Sequence, residues 1–226
     1  MSNSLNPFAP PTPVEDSMSS PLARDFQRLA GTETGLRIVY YGIVTILLSV
    51  IFSAIGAAVF PPLVMVFALL VVIGWLMLIG GPFFCLSAPA ETGASGLIVG
   101  SIVCQGLGIL PSIAPFIGVQ MPWFISGASA LFGLIGSVLF ILFLMRIATY
   151  IGREDLAQRG KNILIGSVIL VLCAFGFGAA AAVVGPVAAF LMIAVAIGGL
   201  VLFVMYANLI NALYKGIGAL RSPAIG

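Results

Sequence analysis

Charge is spread along this chain in a way that few folds accept. Between Arg37 and Arg146 the one acid or base is Glu91, and between Lys161 and Lys215 there is none. A water-facing surface cannot be built from such runs, because soluble domains carry roughly 25% charged residues. Here 7% of 226 residues are charged and 61% are hydrophobic, with mean hydropathy +1.23. Soluble, collagen-like and disordered classes are excluded. The class that remains is an all-α polytopic membrane protein, because a helix satisfies its own backbone in lipid.

Length and breakers divide the apolar runs. A span needs about 20 residues to cross roughly 30 Å of hydrocarbon. Ile163 to Leu213 would make a helix of about 75 Å, too long for one crossing, and Gly185-Pro186 supplies a turn. Spans are expected near 162–184 and 187–213. In the first half they fall at 38–60, closed by Pro61-Pro62, and at 63–80, stopped by Gly80-Gly81-Pro82. After a loop over 82–96, with Ser95 placed to cap the next helix, come 97–118 and 123–149. The expected fold is a bundle of six transmembrane helices over residues 36–215.

The positive-inside rule orients this count. Arg24, Arg28 and Arg37 precede span 1, Arg146, Arg153, Arg159 and Lys161 lie between spans 4 and 5, and Lys215 and Arg221 follow span 6. All nine basic residues thus fall on one face, and the three opposite loops carry no charge. Both termini are expected to be cytoplasmic, in a plasma membrane or bacterial inner membrane. Tyr40, Tyr41, Tyr150, Tyr206 and Tyr214 fall near the same interface, and Trp123 anchors the other. No cleavable signal peptide is expected, since the first apolar run is span-length. Residues 1–20 read as a disordered Pro/Ser-rich cytoplasmic leader and 216–226 as a short cytoplasmic tail. Ser20 and Pro21 would start a juxtamembrane segment over 21–35, with Leu22, Phe26 and Leu29 on one face.

The absences narrow the chemistry. There is no histidine, so bis-His haem, His-ligated iron and His proton relays are excluded. Cys85, Cys104 and Cys173 are widely separated, with neither a CxxC pair nor zinc spacing. No hydrolase, protease or nucleotide fingerprint occurs. No catalytic residue, cofactor, metal or nucleic-acid partner is therefore expected, and the chain reads as a non-enzyme whose first partner is the lipid bilayer.

Several patterns inside the spans bear on function. Tyr41, Thr45, Ser49 and Ser53 form a polar stripe on span 1, Ser101, Gln105, Gly108 and Ser112 one on span 3, and Ser126, Ala130, Gly133 and Ser137 a smaller one on span 4. Such stripes either pack helices closely or line a path for a neutral solute. Gln105 is the one carboxamide well inside a span, so it should point into the bundle as a clamp or a substrate contact. Glu91 is a candidate acid at a cytoplasmic mouth, set against simple hydration beside the N-terminal end of span 3. On span 5, Ala174, Gly178, Ala182 and Gly185 make a small-residue ridge suited to another helix of this chain or of a second protomer.

Two weaker patterns remain. Aligning residue 35 with 160 matches Gly35/Gly160, Pro61/Pro186 and Gly74/Gly199, so the first and last hairpins read as similar, parallel units. In the connector 152–160, Asp155 and Arg159 are spaced for an i, i+4 pair. The expected function is a structural or accessory helical bundle that packs as a homo-oligomer or with subunits of a larger membrane complex. The alternative is a passive channel or facilitator for a small neutral or hydrophobic solute.

Overall fold

The computed structural model describes residues 21–59, 62–114, 122–184 and 186–221. The expected leader 1–20, Pro61, Gly185 and the last residues of the tail lie outside them. The described residues form six helices: α1 (Pro21–Val59), α2 (Leu63–Phe84), α3 (Ser95–Ile113), α4 (Trp123–Tyr150), α5 (Glu154–Val184) and α6 (Pro186–Arg221). Five of them, all but α3, are long and apolar enough to cross a membrane. The apolar stretch of α3 is shorter, Ser95–Pro111. Its expected continuation to residue 118 falls mostly outside the described residues.

Several expected boundaries move, each for a local reason. Gly80-Gly81-Pro82 does not stop α2, which runs on to Phe84. Pro82 costs the helix one hydrogen bond, but Gly81 and Pro82 are buried. There Gly81 packs against Gly35 and Val39 of α1, and that packing holds the last turn. Ser95 is not the cap of α3, whose N-cap position is Ala94. No side chain caps α3; Thr92 instead holds the turn before it, its hydroxyl accepting from the Ala94 N–H at 3.1 Å and donating to the Pro89 carbonyl at 2.7 Å. Gly93 turns the chain between them with φ of 60°, a left-handed conformation that glycine adopts without penalty.

The connector 152–160 is mostly helix, because α5 already begins at Glu154. A Schellman motif ends α4: the Arg153 N–H donates to Ala148 O at 2.9 Å, the Gly152 N–H to Thr149 O at 3.0 Å, and Gly152 has φ of 72°. Asp155 pairs backward with Arg153, at 2.9 and 3.0 Å through both guanidinium arms, and not forward with Arg159. Segment 21–35 is no separate helix either. It is the first part of α1, which continues unbroken for 39 residues, about 58 Å. At the other end, α6 passes through the expected tail start to Arg221.

The helices alternate up and down and close into a ring. α1 packs on α2, α3 on α4, and α5 on α6, while α1 against α6 and α4 against α5 join the hairpins; α2 and α3 meet only lightly. The α1–α2 seam is built on glycine. A Cβ on Gly42 would lie 2.9 Å from the Gly74 carbonyl oxygen, one on Gly74 would lie 3.0 Å from that of Gly42, and one on Gly35 would lie 2.6 Å from that of Gly81. Both partners repeat at a seven-residue interval, so the two backbones touch at two levels. Hairpin α5–α6 runs in the same direction as α1–α2, but its glycines meet leucines: Gly166 faces Leu202 and Gly198 faces Leu170.

Among the described residues the buried core is gathered at one end of the ring. Leu36, Phe143, Leu144, Ile147, Ile210 and Leu213 have no exposed surface. Each belongs to the half of its helix nearest Arg37, Arg146 or Lys215, so the basic end of the bundle is solidly packed.

Candidate functional site

Beyond that core the helices part around a chamber of about 750 Å³, to which all six contribute. Val39 and Ile43 of α1, Phe140 and Ile141 of α4 and Ile163 of α5 belong to both the chamber wall and the buried core. They form its floor at the basic end. Phe203 and Tyr206 of α6 stand at the same level, with the Tyr206 ring edge-on to Phe140 at 6.5 Å. Tyr206 is therefore a chamber residue, not an interfacial one as its sequence position implied. Tyr40, Tyr41 and Tyr214 do cluster, with centroids 5.6 and 5.8 Å apart, and Arg37 lies over Tyr41 at 5.8 Å.

The rest of the wall is apolar, with a few uncharged polar groups. α2 supplies Trp75, Leu78 and Ile79; α3 supplies Gln105, Gly108 and Ile109. α4 adds Ser129, Ala130, Gly133 and Ser137, and α5 adds Ser167, Leu170 and Val171. No Asp, Glu, Lys or Arg is among the lining residues.

The polar stripes fall unequally around this chamber. Those of α3 and α4 meet each other and also border the space. Ser101 is fully buried and donates to the Gly136 carbonyl of α4 at 2.8 Å, while Gln105 donates its amide N–H to the Ser101 hydroxyl at 3.1 Å. Ser101 is thus the cross-helix bond, and Gln105 braces it while facing the chamber. A Cβ on Gly108 would lie 3.1 Å from the Gly133 nitrogen, so the small residues set the approach of the two backbones. Ser137 bonds back to Gly133 O at 2.9 Å. The α1 stripe does not share this space: Thr45 and Ser53 are half-buried, Ser49 is 2% exposed, and none borders the chamber. Ser112 lies in α3, but the surroundings of its side chain are outside the description.

The remaining candidates lie elsewhere. Glu91 is exposed on a 3-10 turn, Ala90–Thr92, between α2 and α3. Ala174 is half-buried on α5. Gly178 and Ala182 continue that helix with side-chain surroundings outside the description, and Gly185 lies outside the described residues altogether. Cys85 is buried, with its thiol reaching the Thr32 carbonyl at 3.9 Å; Cys104 and Cys173 are half-buried. The Asp155 carboxylate, first by its hydrogen bond and then by its charge, raises the Arg153 guanidinium above its ordinary value.

Sequence reasoning missed three chamber residues that carried a signal. Ser167 is the one hydroxyl-bearing residue between Asn162 and Val184, Trp75 is the one tryptophan in the middle of a span, and Tyr206 lies nine residues inside Lys215. Each is a polar-tipped side chain in hydrocarbon, where such a tip needs a partner. Compared with known proteins, the chain matches no family model, no curated protein and no solved structure.

Proposed function

We propose that this chain is a six-span membrane protein, both termini cytoplasmic, whose central chamber binds a small neutral or hydrophobic solute and facilitates its passage. The observation that carries this is the chamber itself: about 750 Å³, bordered by all six helices, with no Asp, Glu, Lys or Arg lining it among the described residues. Its size lies within the range of small-molecule sites, which are mostly apolar with a few placed polar groups. Ion- or proton-coupled transport calls on acids or bases inside the membrane, so a chamber of this lining suits an uncharged occupant and passive flow. The nine basic residues on one side support cytoplasmic termini in a plasma or bacterial inner membrane. The reading assigns the chain no reaction and no cofactor.

The second reading is an accessory bundle that packs with itself or with other subunits, and it draws on small-residue faces. In this chain Gly35, Gly42, Gly74 and Gly81 are taken up by the α1–α2 seam, and Gly108 and Gly136 by the α3–α4 seam. Those glycines are used within the chain, and the chamber bordered by all six helices supports the first reading.

The test is flux into vesicles of purified protein across a series of neutral solutes of rising apolarity. Ser167→Trp, which fills the chamber, serves as the control. The expected result is flux above protein-free vesicles that the variant abolishes without lowering its melting temperature. Flux equal to that of empty vesicles throughout, with other subunits co-purifying, would sink the proposal in favour of the accessory reading.

A further inference from the structure

We infer that the chamber is loaded sideways from the bilayer, between α2 and α3, by a neutral amphiphile with an apolar body and one hydrogen-bonding head group. This rests on the chamber reading above and names its route and its ligand class. Among the described residues, α2 and α3 are the adjacent pair in the ring with the lightest contact, and both border the chamber. The connection below that seam is closed, since Cys85, Ala88, Thr92 and Ala94 are all buried. The basic end is filled by the core. Among the described residues an occupant therefore meets packed side chains at the basic end and on five seams, and the lightest packing on the sixth.

Trp75 marks that seam. It borders the chamber yet is 52% exposed, so its ring spans the seam between interior and hydrocarbon. It stands twelve residues, about 18 Å, along α2 from Leu63, well away from the water interface where tryptophan ordinarily sits. Among the described residues no acceptor takes its indole N–H. A donor stranded in hydrocarbon is costly, and an oxygen on an entering molecule would satisfy it.

The interior limits what the head group is. One amide N–H of Gln105 is held by Ser101, which leaves its carbonyl oxygen and second N–H for a ligand. The hydroxyls of Ser129, Ser137, Ser167 and Tyr206 are further polar groups of its lining. They offer single neutral hydrogen bonds and nothing to neutralise a phosphate or carboxylate, whose burial unpaired is prohibitive. Membrane-dissolved alcohols and ketones fit, and charged phospholipid head groups do not.

The test uses the full chain in nanodiscs with a long-chain primary alcohol carrying a photoactivatable diazirine. Adducts are mapped by peptide mass spectrometry. Adducts are expected on Trp75 and Ile79 at the seam and on Phe203 inside, all lost when unlabelled alcohol competes. Ile109→Trp, which fills the seam, should lose the Phe203 adduct at short exposure. A second measurement avoids any folding failure of that variant: in Trp123→Phe, a brominated long-chain alcohol should quench Trp75 saturably, and a short water-soluble bromo-alcohol should not. Chamber adducts undiminished in Ile109→Trp, or equal quenching by both alcohols, would overturn the lateral route and leave the chamber reading standing. Adducts confined to outward residues such as Leu69 and Leu76 would overturn both.

Discussion

Removing the Ser101 hydroxyl should cost more than removing the whole Gln105 carboxamide. In Ser101→Ala the 2.8 Å bond to the Gly136 carbonyl is lost, and Gln105 loses the acceptor it reaches at 3.1 Å. An interhelical hydrogen bond in a membrane contributes about 0.6 kcal/mol on average and at most about 1.7. Stranding the amide adds about 1 kcal/mol. Alanine leaves almost no void, so the sum is about 1–2 kcal/mol. Gln105→Leu loses one bond but also removes a polar group from an apolar wall, for a net cost of about 0–0.6 kcal/mol. In the double variant no amide is left stranded, so its cost should fall short of the sum of the singles by about 0.5–1 kcal/mol. Reversible unfolding in mixed micelles, followed by circular dichroism, measures all three. A larger cost for Gln105→Leu than for Ser101→Ala, or strict additivity, would refute the assignment of Ser101 as the cross-helix bond.

Gly42→Ala should destabilise by about 1–3 kcal/mol through overpacking against Gly74 and Met77. Gly80→Ala, whose added carbon meets nothing within 4 Å, should be neutral or slightly stabilising; equal costs in a thermal melt would contradict the α1–α2 seam. Thr32 is fully buried with an unpaired hydroxyl oxygen, so Thr32→Val should raise stability by about 1 kcal/mol, read as a higher melting temperature. Thr92→Ala removes the two hydrogen bonds that hold the turn before α3 and should cost about 1–2 kcal/mol. Hydrogen exchange should then quicken first at residues 94–98.

Much of the secondary structure is legible from charge and breakers. Pro62, Pro122 and Pro186 stand at or just before helix starts, and Trp123 opens α4 as expected. The boundaries that moved did so where a neighbour overrode a local signal. Gly80-Gly81-Pro82 looks like a stop until α1 covers it. Ser95 looks like a cap until the turn at Gly93, held by Thr92, leaves Ala94 at the N-cap position. Asp155 satisfies i, i+4 spacing with Arg159, yet the chain reversal before α5 brings Arg153 closer. The α1–α2 seam was written in the seven-residue spacing of Gly35 with Gly42 and of Gly74 with Gly81.

The site was less legible, because a hydroxyl stripe looks the same whether it packs, lines a space or faces lipid. Periodicity says which residues share a face and nothing about what that face meets. The stripes on α1, α3 and α4 are alike in sequence, and only those of α3 and α4 border the chamber. Ser167, Trp75 and Tyr206 belong to no stripe and join the site because three hairpins close into a ring.

The sequence by itself determined that the chain is helical and hydrocarbon-bound, and where its charges gather. Those follow from the cost of burying charge and unpaired backbone in lipid, which each residue bears wherever the helices go. Only the tertiary structure decided that the basic end packs solid, that a neutral chamber opens beyond it, and that α2 and α3 meet only lightly. Those depend on how closely glycine lets each pair of helices approach, a property of two surfaces at once.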